Sequence, residues 1–171
     1  MPRQPGCPTL LSVTDVREID RILDQMDRAF SGDAWHGPSL LSTLEGLSAE
    51  DASKHTVPGA HSIWELVHHL GSWNVIVLRR LRGEDVELTT ERDWPPVWEV
   101  SETAWQRARD NLSESHARLR NFVASIEDDQ LDRTAAKTNG ASTSRYVVLH
   151  GVIQHNLYHA GQIVILKKAL G

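Results

Sequence analysis

Two histidines four residues apart, His155 and His159, are the residues of this chain best placed to do chemistry. On a helix, side chains at positions i and i+4 lie one above the other on one face, so both rings can reach the same ion. The pair lies within Val147–Leu170, the longest apolar run of the sequence. Imidazoles in largely apolar surroundings need a partner, and a shared metal ion is the leading one.

A third imidazole comes from an earlier apolar helix, in the segment Trp64–His69. At about 100° per residue, the apolar side chains of this helix define the direction of the core. His69 lies nearer to that direction than His68, which points further towards solvent. On the last helix, Gln162 shares one shoulder of the apolar face with the histidine pair. These angles favour His69 as the third member of a metal-binding trio.

Three neutral imidazoles leave positions of a divalent ion open, as in catalytic rather than closed structural sites. Such an ion lowers the pKa of bound water towards neutrality and supplies a nucleophile. Asn156 stands where the zincin motif H-E-x-x-H has its glutamate, so a general base must come from elsewhere. Glu65, one turn before His69, is the candidate base, or else an acceptor for an imidazole N–H.

Other residues are candidates for the surroundings of this site. A pocket wall over the metal is predicted from the aromatic and polar residues Trp35, His36, Trp73 and Gln162. The alternative is that the tryptophans fill the core or pin loops to it, and that the histidines are ordinary core residues that bind nothing. His116 is a candidate fourth ligand or, alternatively, a half-buried surface residue.

Apolar residues with a period near 3.6 predict four main helices. They run from a cap at Thr14 or Asp15 to about Phe30, from Ser62 to about Arg82, from Ser101 along a stripe ending at Ile126, and from a cap within 142–144 to the C-terminus. Short extra helices are expected in the first connection, and the polar segment 127–143 shows no strand pattern. We therefore predict an all-α, four-helix bundle. Residues 1–12 are a flexible N-terminal tail, and residues 13–171 form one domain.

Composition excludes several classes of protein. The net charge is -5 and the cations alternate with acids, which argues against nucleic-acid binding. The single cysteine, Cys7, cannot form an intramolecular disulfide. The N-terminus lacks the pattern of a signal peptide, and the polar residues inside Val147–Leu170 disfavour membrane insertion. The expected location is the cytoplasm.

The chain resembles the DinB/YfiT-like superfamily in three segments that keep the family's order and spacing: Ala34–Ser39, Ser62–His69 and His155–Ile163. The resemblance covers about residues 15–170. It implies a bundle of up-down-down-up topology, with a divalent metal bound by His69, His155 and His159. Members of that superfamily include bacillithiol-dependent S-transferases and mycothiol-dependent isomerases, and they are often dimers.

We therefore expect a metal-dependent enzyme of hydrolase or thiol S-transferase type, in which water or a low-molecular-weight thiol attacks a small-molecule substrate. Zinc and nickel are the favoured ions. The alternatives are a non-catalytic metal-binding stress-response protein and a helical interaction module. A homodimer is also expected, because Val147, Leu157 and Ile165 are placed well apart around a last helix that is apolar over more than one face.

Overall fold

The computed structural model describes residues 16–138 and 141–171, and this part of the chain is mostly helical. Its helices are α1 (Glu18–Phe30), α2 (Leu40–Thr43), α3 (Ala49–Ser53), α4 (Ile63–Leu81), α5 (Thr90–Asp93), α6 (Glu102–Val123) and α7 (Arg145–Lys168). The long helices α1, α4, α6 and α7 correspond to the four predicted ones, and α2 and α3 are the short helices expected in the first connection. The predicted tail, with Cys7, lies outside the described residues.

A β-hairpin occupies the segment that was predicted to contain no strand, so that prediction is wrong. Strand β1 (Thr134–Thr138) pairs antiparallel with β2 (Ala141–Ser144), which leads directly into α7. The strands consist mainly of Thr, Ala and Ser, which are too small and polar to produce the alternating apolar pattern by which a half-buried strand is recognised. Two residues, Asn-Gly in the sequence, connect the strands, and this pair is itself a strong hairpin signal.

The start of α4 follows the local sequence, as predicted. The Ser62 hydroxyl accepts from the Glu65 backbone N–H at 3.2 Å, and the Glu65 carboxylate accepts from the Ser62 N–H at 2.8 Å. This reciprocal capping box satisfies two of the free donors at a helix N-terminus. At the other end, Gly83 adopts a positive φ of 83° directly after the cap at Arg82, which terminates the helix as predicted.

The start of α1 differs from the prediction. The helix begins at Glu18 with Arg17 at its N-cap position, and the predicted cap residues Thr14 and Asp15 lie outside the described residues. The backbone N–H groups of Glu18 and Ile19 instead donate to the Asp128 carboxylate at 2.8 and 2.9 Å. The cap therefore comes from the 3-10 turn Asp128–Gln130, about 110 residues further along the chain.

Two apolar clusters form the core, and the long helices connect them. One cluster contains α2, α3, the first half of α4 and the end of α7; the other contains α1, the second half of α4 and the start of α7. Helix α4 passes between the clusters after Leu70, and α7 passes between them from Ile153 to Ala160. None of the described helices is long and apolar enough to cross a membrane.

Candidate metal centre

Three buried or half-buried imidazoles converge where α4 and α7 pass between the two core clusters. His155 Nε2 lies 3.0 Å from His69 Nε2 and 3.0 Å from His159 Nε2. All three nitrogens lie within 4.8 Å of one another. The buried face of α4 turns His69 inward, and the four-residue spacing on α7 stacks the other two rings along the same side of that helix.

The outer ring nitrogens of two of these histidines are fixed by hydrogen bonds. His69 Nδ1 donates to the backbone carbonyl of Asp93 at 2.8 Å, and His159 Nδ1 donates to Gln162 Oε1 at 2.6 Å. A neutral imidazole carries one N–H, so these bonds leave a lone pair on each Nε2. Both lone pairs face His155 Nε2, which can donate to one of them at most. At least one nitrogen therefore needs another electron-pair acceptor.

A divalent ion fits this donor set. Two nitrogens that bind one ion at about 2.1 Å lie roughly 3.0–3.4 Å apart for angles between 90° and tetrahedral. The two 3.0 Å separations fall at the lower end of that range. Histidines that ligate metals usually donate their other N–H to a carbonyl or carboxylate, which is the role that Asp93 and Gln162 play here.

Burial keeps the three imidazoles neutral. It lowers the pKa of His155 to about 3, with repulsion from His159 and His69 adding to the effect. Burial also lowers the pKa of His69, against the opposing hydrogen bond to Asp93, and that of His159, against the opposing bond to Gln162. Neutral rings are the form that binds metal, so at neutral pH no proton has to leave these nitrogens first.

A cavity of about 530 Å³ opens above the three nitrogens. One wall is a stack of rings, in which the Trp94 indole lies 3.9 Å from His69 on one side and 3.5 Å from His61 on the other, measured between centroids. The rest of the lining is mainly apolar: Val57, Ala60, Leu66, Ile165 and Leu166, together with Trp73 and Tyr158. The volume and the mostly apolar walls suit a small organic molecule.

Comparison with known proteins identifies the family. The model of the DinB superfamily matches residues 34–163, about three quarters of the chain, including all three histidines. The chain belongs to the DinB superfamily. A crystal structure of a conserved protein from Enterococcus faecalis is similar in fold, with a TM-score of 0.67 and 19% identity over 90% of this chain and 97% of that one. Among curated proteins, none matches the chain.

In this DinB-superfamily chain, the predicted surroundings of the site divide into two groups. Trp73 and Gln162 line the cavity. Trp35 and His36 do not: Trp35 is 95% exposed, and His36 is exposed beside it in the first connection. Glu65 does not line the cavity either, because its carboxylate caps α4.

The two remaining histidines singled out in the sequence lie elsewhere. The His68 ring faces away from the trio, with Nδ1 3.2 Å from the Pro95 carbonyl and Nε2 accepting from Trp64. His116 is buried against Phe30 with its ring stacked at 3.6 Å, and it is not part of the metal cluster. The prediction that His116 is half-buried at the surface is therefore wrong. Its ring is also not placed to act as a fourth ligand of the metal.

Two residues of the DinB-superfamily site, Asp93 and His61, were missed in the sequence, whereas Trp94 was one of the connection tryptophans considered for a pocket wall. Asp93 holds His69 through its carbonyl and holds Trp73 through its carboxylate, which accepts from the indole N–H at 2.7 Å. Trp94 and His61 complete the wall. Asp93 and Trp94 belong to α5 and the connection after it, 24 and 25 residues from His69, so no helical periodicity relates them to the ligands. The only signal was that the long connection 84–100 is rich in tryptophan and proline.

Proposed function

We propose that this chain is a metal-dependent enzyme of hydrolase or thiol S-transferase type, in which His69, His155 and His159 hold a divalent ion, zinc or nickel. The observation that carries the proposal is the convergence of three Nε2 atoms at the floor of a cavity. Two of these atoms have their lone pairs directed inward by outer hydrogen bonds. A closed structural site would have four protein ligands and no cavity above them.

When bound, a divalent ion lowers the pKa of a coordinated water or thiol and makes it a nucleophile at neutral pH. The residues of this chain supply the rest. The apolar walls exclude bulk water and hold a small-molecule substrate, while Trp94 keeps the His69 ring in place by stacking. A low-molecular-weight thiol fits the same cavity, so water and thiol are both retained as nucleophiles.

We also propose a proton acceptor at the cavity wall. His61 lines the cavity, and its Nδ1 lies 3.4 Å from Glu65 Oε2. The same carboxylate accepts from the Ser62 N–H, and the His55 ring lies 3.0 Å from it. A carboxylate behind an imidazole orients the ring and stabilises its protonated form. Glu65 then acts through His61, instead of as the base itself.

Removing one ligand tests the proposal. The wild-type chain is expected to bind one divalent ion, and His155→Ala and His159→Ala are each expected to lower the affinity more than about 100-fold. Both variants should keep their helical content, because the apolar clusters hold the helices together without a metal. Metal content by mass spectrometry, circular dichroism, and assays of thiol transfer and ester hydrolysis are the measurements.

His150→Ala is the matched control, because His150 lies on the same helix and contacts Tyr146 outside the cluster, with the two ring centroids 4.4 Å apart. A wild-type chain that binds no divalent ion would leave the histidines as ordinary core residues of an interaction module. Metal binding without turnover in any assay would support the alternative of a metal-binding stress-response protein.

The finer arrangement of the helices is also a proposal. Helix α4 contacts α6 and α7, and α1 contacts the same two helices. This pattern supports a four-helix bundle with α1 and α4 on opposite corners, for which we propose the up-down-down-up topology. A location in the cytoplasm, with no nucleic-acid partner, belongs to the same proposal and is supported by the acidic net charge of -5.

A further inference from the structure

A second cavity, of about 300 Å³, lies on the other side of His155 between α4 and α7. It shares Trp73 and His155 with the metal cavity, so these two side chains contact both spaces. Its walls are mainly apolar, with Val77, Val147, Val148 and Val152 contributing most of the side chains, and Gly151 leaves room in the α7 wall. The space is at the lower end of the sizes typical for small-molecule sites.

One charged residue, Arg80, lines this mainly apolar cavity, beside the neutral polar side chains of Asn74 and Thr143. Its guanidinium carbon lies 5.6 Å from the centroid of Trp73, the ring shared by the two cavities. Within the described residues, no carboxylate forms an ion pair with Arg80, whereas its neighbour Arg79 binds Glu84 at 2.6 Å. A half-buried guanidinium against an aromatic ring, with no anion of the protein beside it, is a ready binding group for a ligand anion.

We propose that this cavity binds a small amphiphilic carboxylic acid. Its carboxylate pairs with Arg80, and its alkyl or aryl body lies along the valines towards His155. A single guanidinium, with no second cation among the residues that line the cavity, suits a monoanion better than a phosphate dianion. The far end of such an acid would lie against Trp73 and His155, the two residues that also line the metal cavity. That the acid is the substrate rests on the proposed function, whereas its binding to Arg80 does not.

Calorimetric titration of the purified full-length chain tests the proposal, with octanoate, 1-octanol and octyl phosphate as probes. Octanoate is expected to bind at least about tenfold tighter than 1-octanol, because only octanoate forms the charge-assisted pair. Arg80→Gln is expected to remove that preference. Arg79→Gln, which changes a neighbouring arginine that does not line the cavity, should bind octanoate as the wild type does.

A second variant tests the cavity itself. A Cβ on Gly151 meets no atom within 4 Å, and the residue is helical, so Gly151→Leu should fold and fill the space. It is expected to lose octanoate and octanol binding together. The matched control is Gly161→Leu, since Gly161 is an equally open position on the same helix that lines neither cavity.

Unchanged octanoate binding in Arg80→Gln or in Gly151→Leu would overturn the proposal. Equal affinity for octanoate and octanol would also overturn it. Tighter binding of octyl phosphate than of octanoate would overturn the choice of a carboxylic acid and indicate a phosphate ligand. The titrations are run on chelator-treated and on metal-loaded protein. If the protein binds no metal, octanoate binding to the chelator-treated protein can still be measured. If octanoate does not bind through Arg80, the metal content of the wild type is unaffected.

Discussion

The two hydrogen bonds on outer ring nitrogens decide what the histidines can bind. Without the Asp93 carbonyl and the Gln162 amide oxygen, each ring could place its proton on Nε2 and stop being a ligand on the inner side. Gln162 lies one turn beyond His159, so this hydrogen bond forms within α7. The Asp93 carbonyl comes from a different element, and it is therefore the part of the arrangement that depends on the tertiary fold.

Replacing Gln162 tests how much this orientation contributes. Gln162→Leu keeps the size of the side chain and removes the acceptor for His159 Nδ1. Loss of such a partner typically lowers metal affinity about 10- to 100-fold, and we expect a decrease in that range. Competition with a chromophoric chelator measures it. Gln154→Leu, at an exposed position of the same helix, should bind as the wild type does; equal affinity in all three proteins would show that the hydrogen bond orients nothing.

The sequence predicted individual residues well where one helix determines their direction. His69 rather than His68 turns inward because Leu66, Val67 and Leu70 fix the buried face of α4. Asp93 and Trp94 could not be predicted in the same way, because their contacts with α4 form only when the connection folds back over it. Trp35 shows the converse limit: an aromatic residue in a connection is a candidate for a pocket, but its 95% exposure here depends on where the chain turns.

At the scale of elements, local signals were sufficient for α4 and insufficient for α1. The capping box at Ser62 is written in four consecutive residues, whereas the cap of α1 comes from Asp128, far along the chain. The carboxylate of Asp128 has a lowered pKa because backbone N–H groups of α1 donate to it. The β-hairpin was missed for a similar reason, since its strands contact α4 and α7, and the pattern of a single strand does not show such contacts.

The contact of α6 with α1 predicts a pH dependence of stability. His116 on α6 stacks on Phe30 of α1, and burial lowers its pKa to about 4 from 6.5. In the unfolded chain His116 becomes protonated near pH 6.5, whereas in the folded chain it becomes protonated only near pH 4. Stability therefore falls as the pH drops through this window, by about 3 kcal/mol in total for this residue.

His116→Phe tests this linkage, because phenylalanine can stack on Phe30 and has no group to protonate. Between pH 7.5 and 4.5, the metal-free variant should lose about 2–3 kcal/mol less free energy of unfolding than the metal-free wild type. Urea denaturation at the two pH values gives both numbers. The exposed His36→Phe is the control, and parallel losses in wild type and His116→Phe would contradict the assignment.

For the whole molecule, the position of the site follows from how the core is divided. Side chains on α4 and α7 are apolar above and below the level of the histidines, and at that level polar groups such as Asn74 and Asn156 are buried. The two cavities open at this same level, on either side of His155. The two apolar clusters stabilise the fold, and the polar and metal-binding side chains lie in the layer between them.

The outer surface of α7 leads to the last prediction, a homodimer. Val147 and Ile165 are 57% and 64% exposed, and they are five turns apart and therefore on one face, not well separated around the helix as the sequence interpretation had them. Tyr158, 64% exposed, lies between them on this face. A stable dimer would bury about 800 Å² on each subunit, and the three exposed apolar side chains on this face of α7 can contribute part of it, although the exposed Gln154 lies among them.

Sedimentation equilibrium at micromolar concentration measures the dimer. The wild type is expected to have the mass of two chains, and Ile165→Glu is expected to have the mass of one, because a carboxylate in an apolar interface loses its hydration without gaining a partner. Trp98→Glu places the same charge at a 90% exposed tryptophan in the connection before α6 and should leave the dimer intact. A wild-type mass of one chain, with no concentration dependence, would contradict the dimer and mean that this face of α7 is exposed to solvent. Tyr158 and Ile165 also line the metal cavity, so the cavity would then be open to solvent in the monomer.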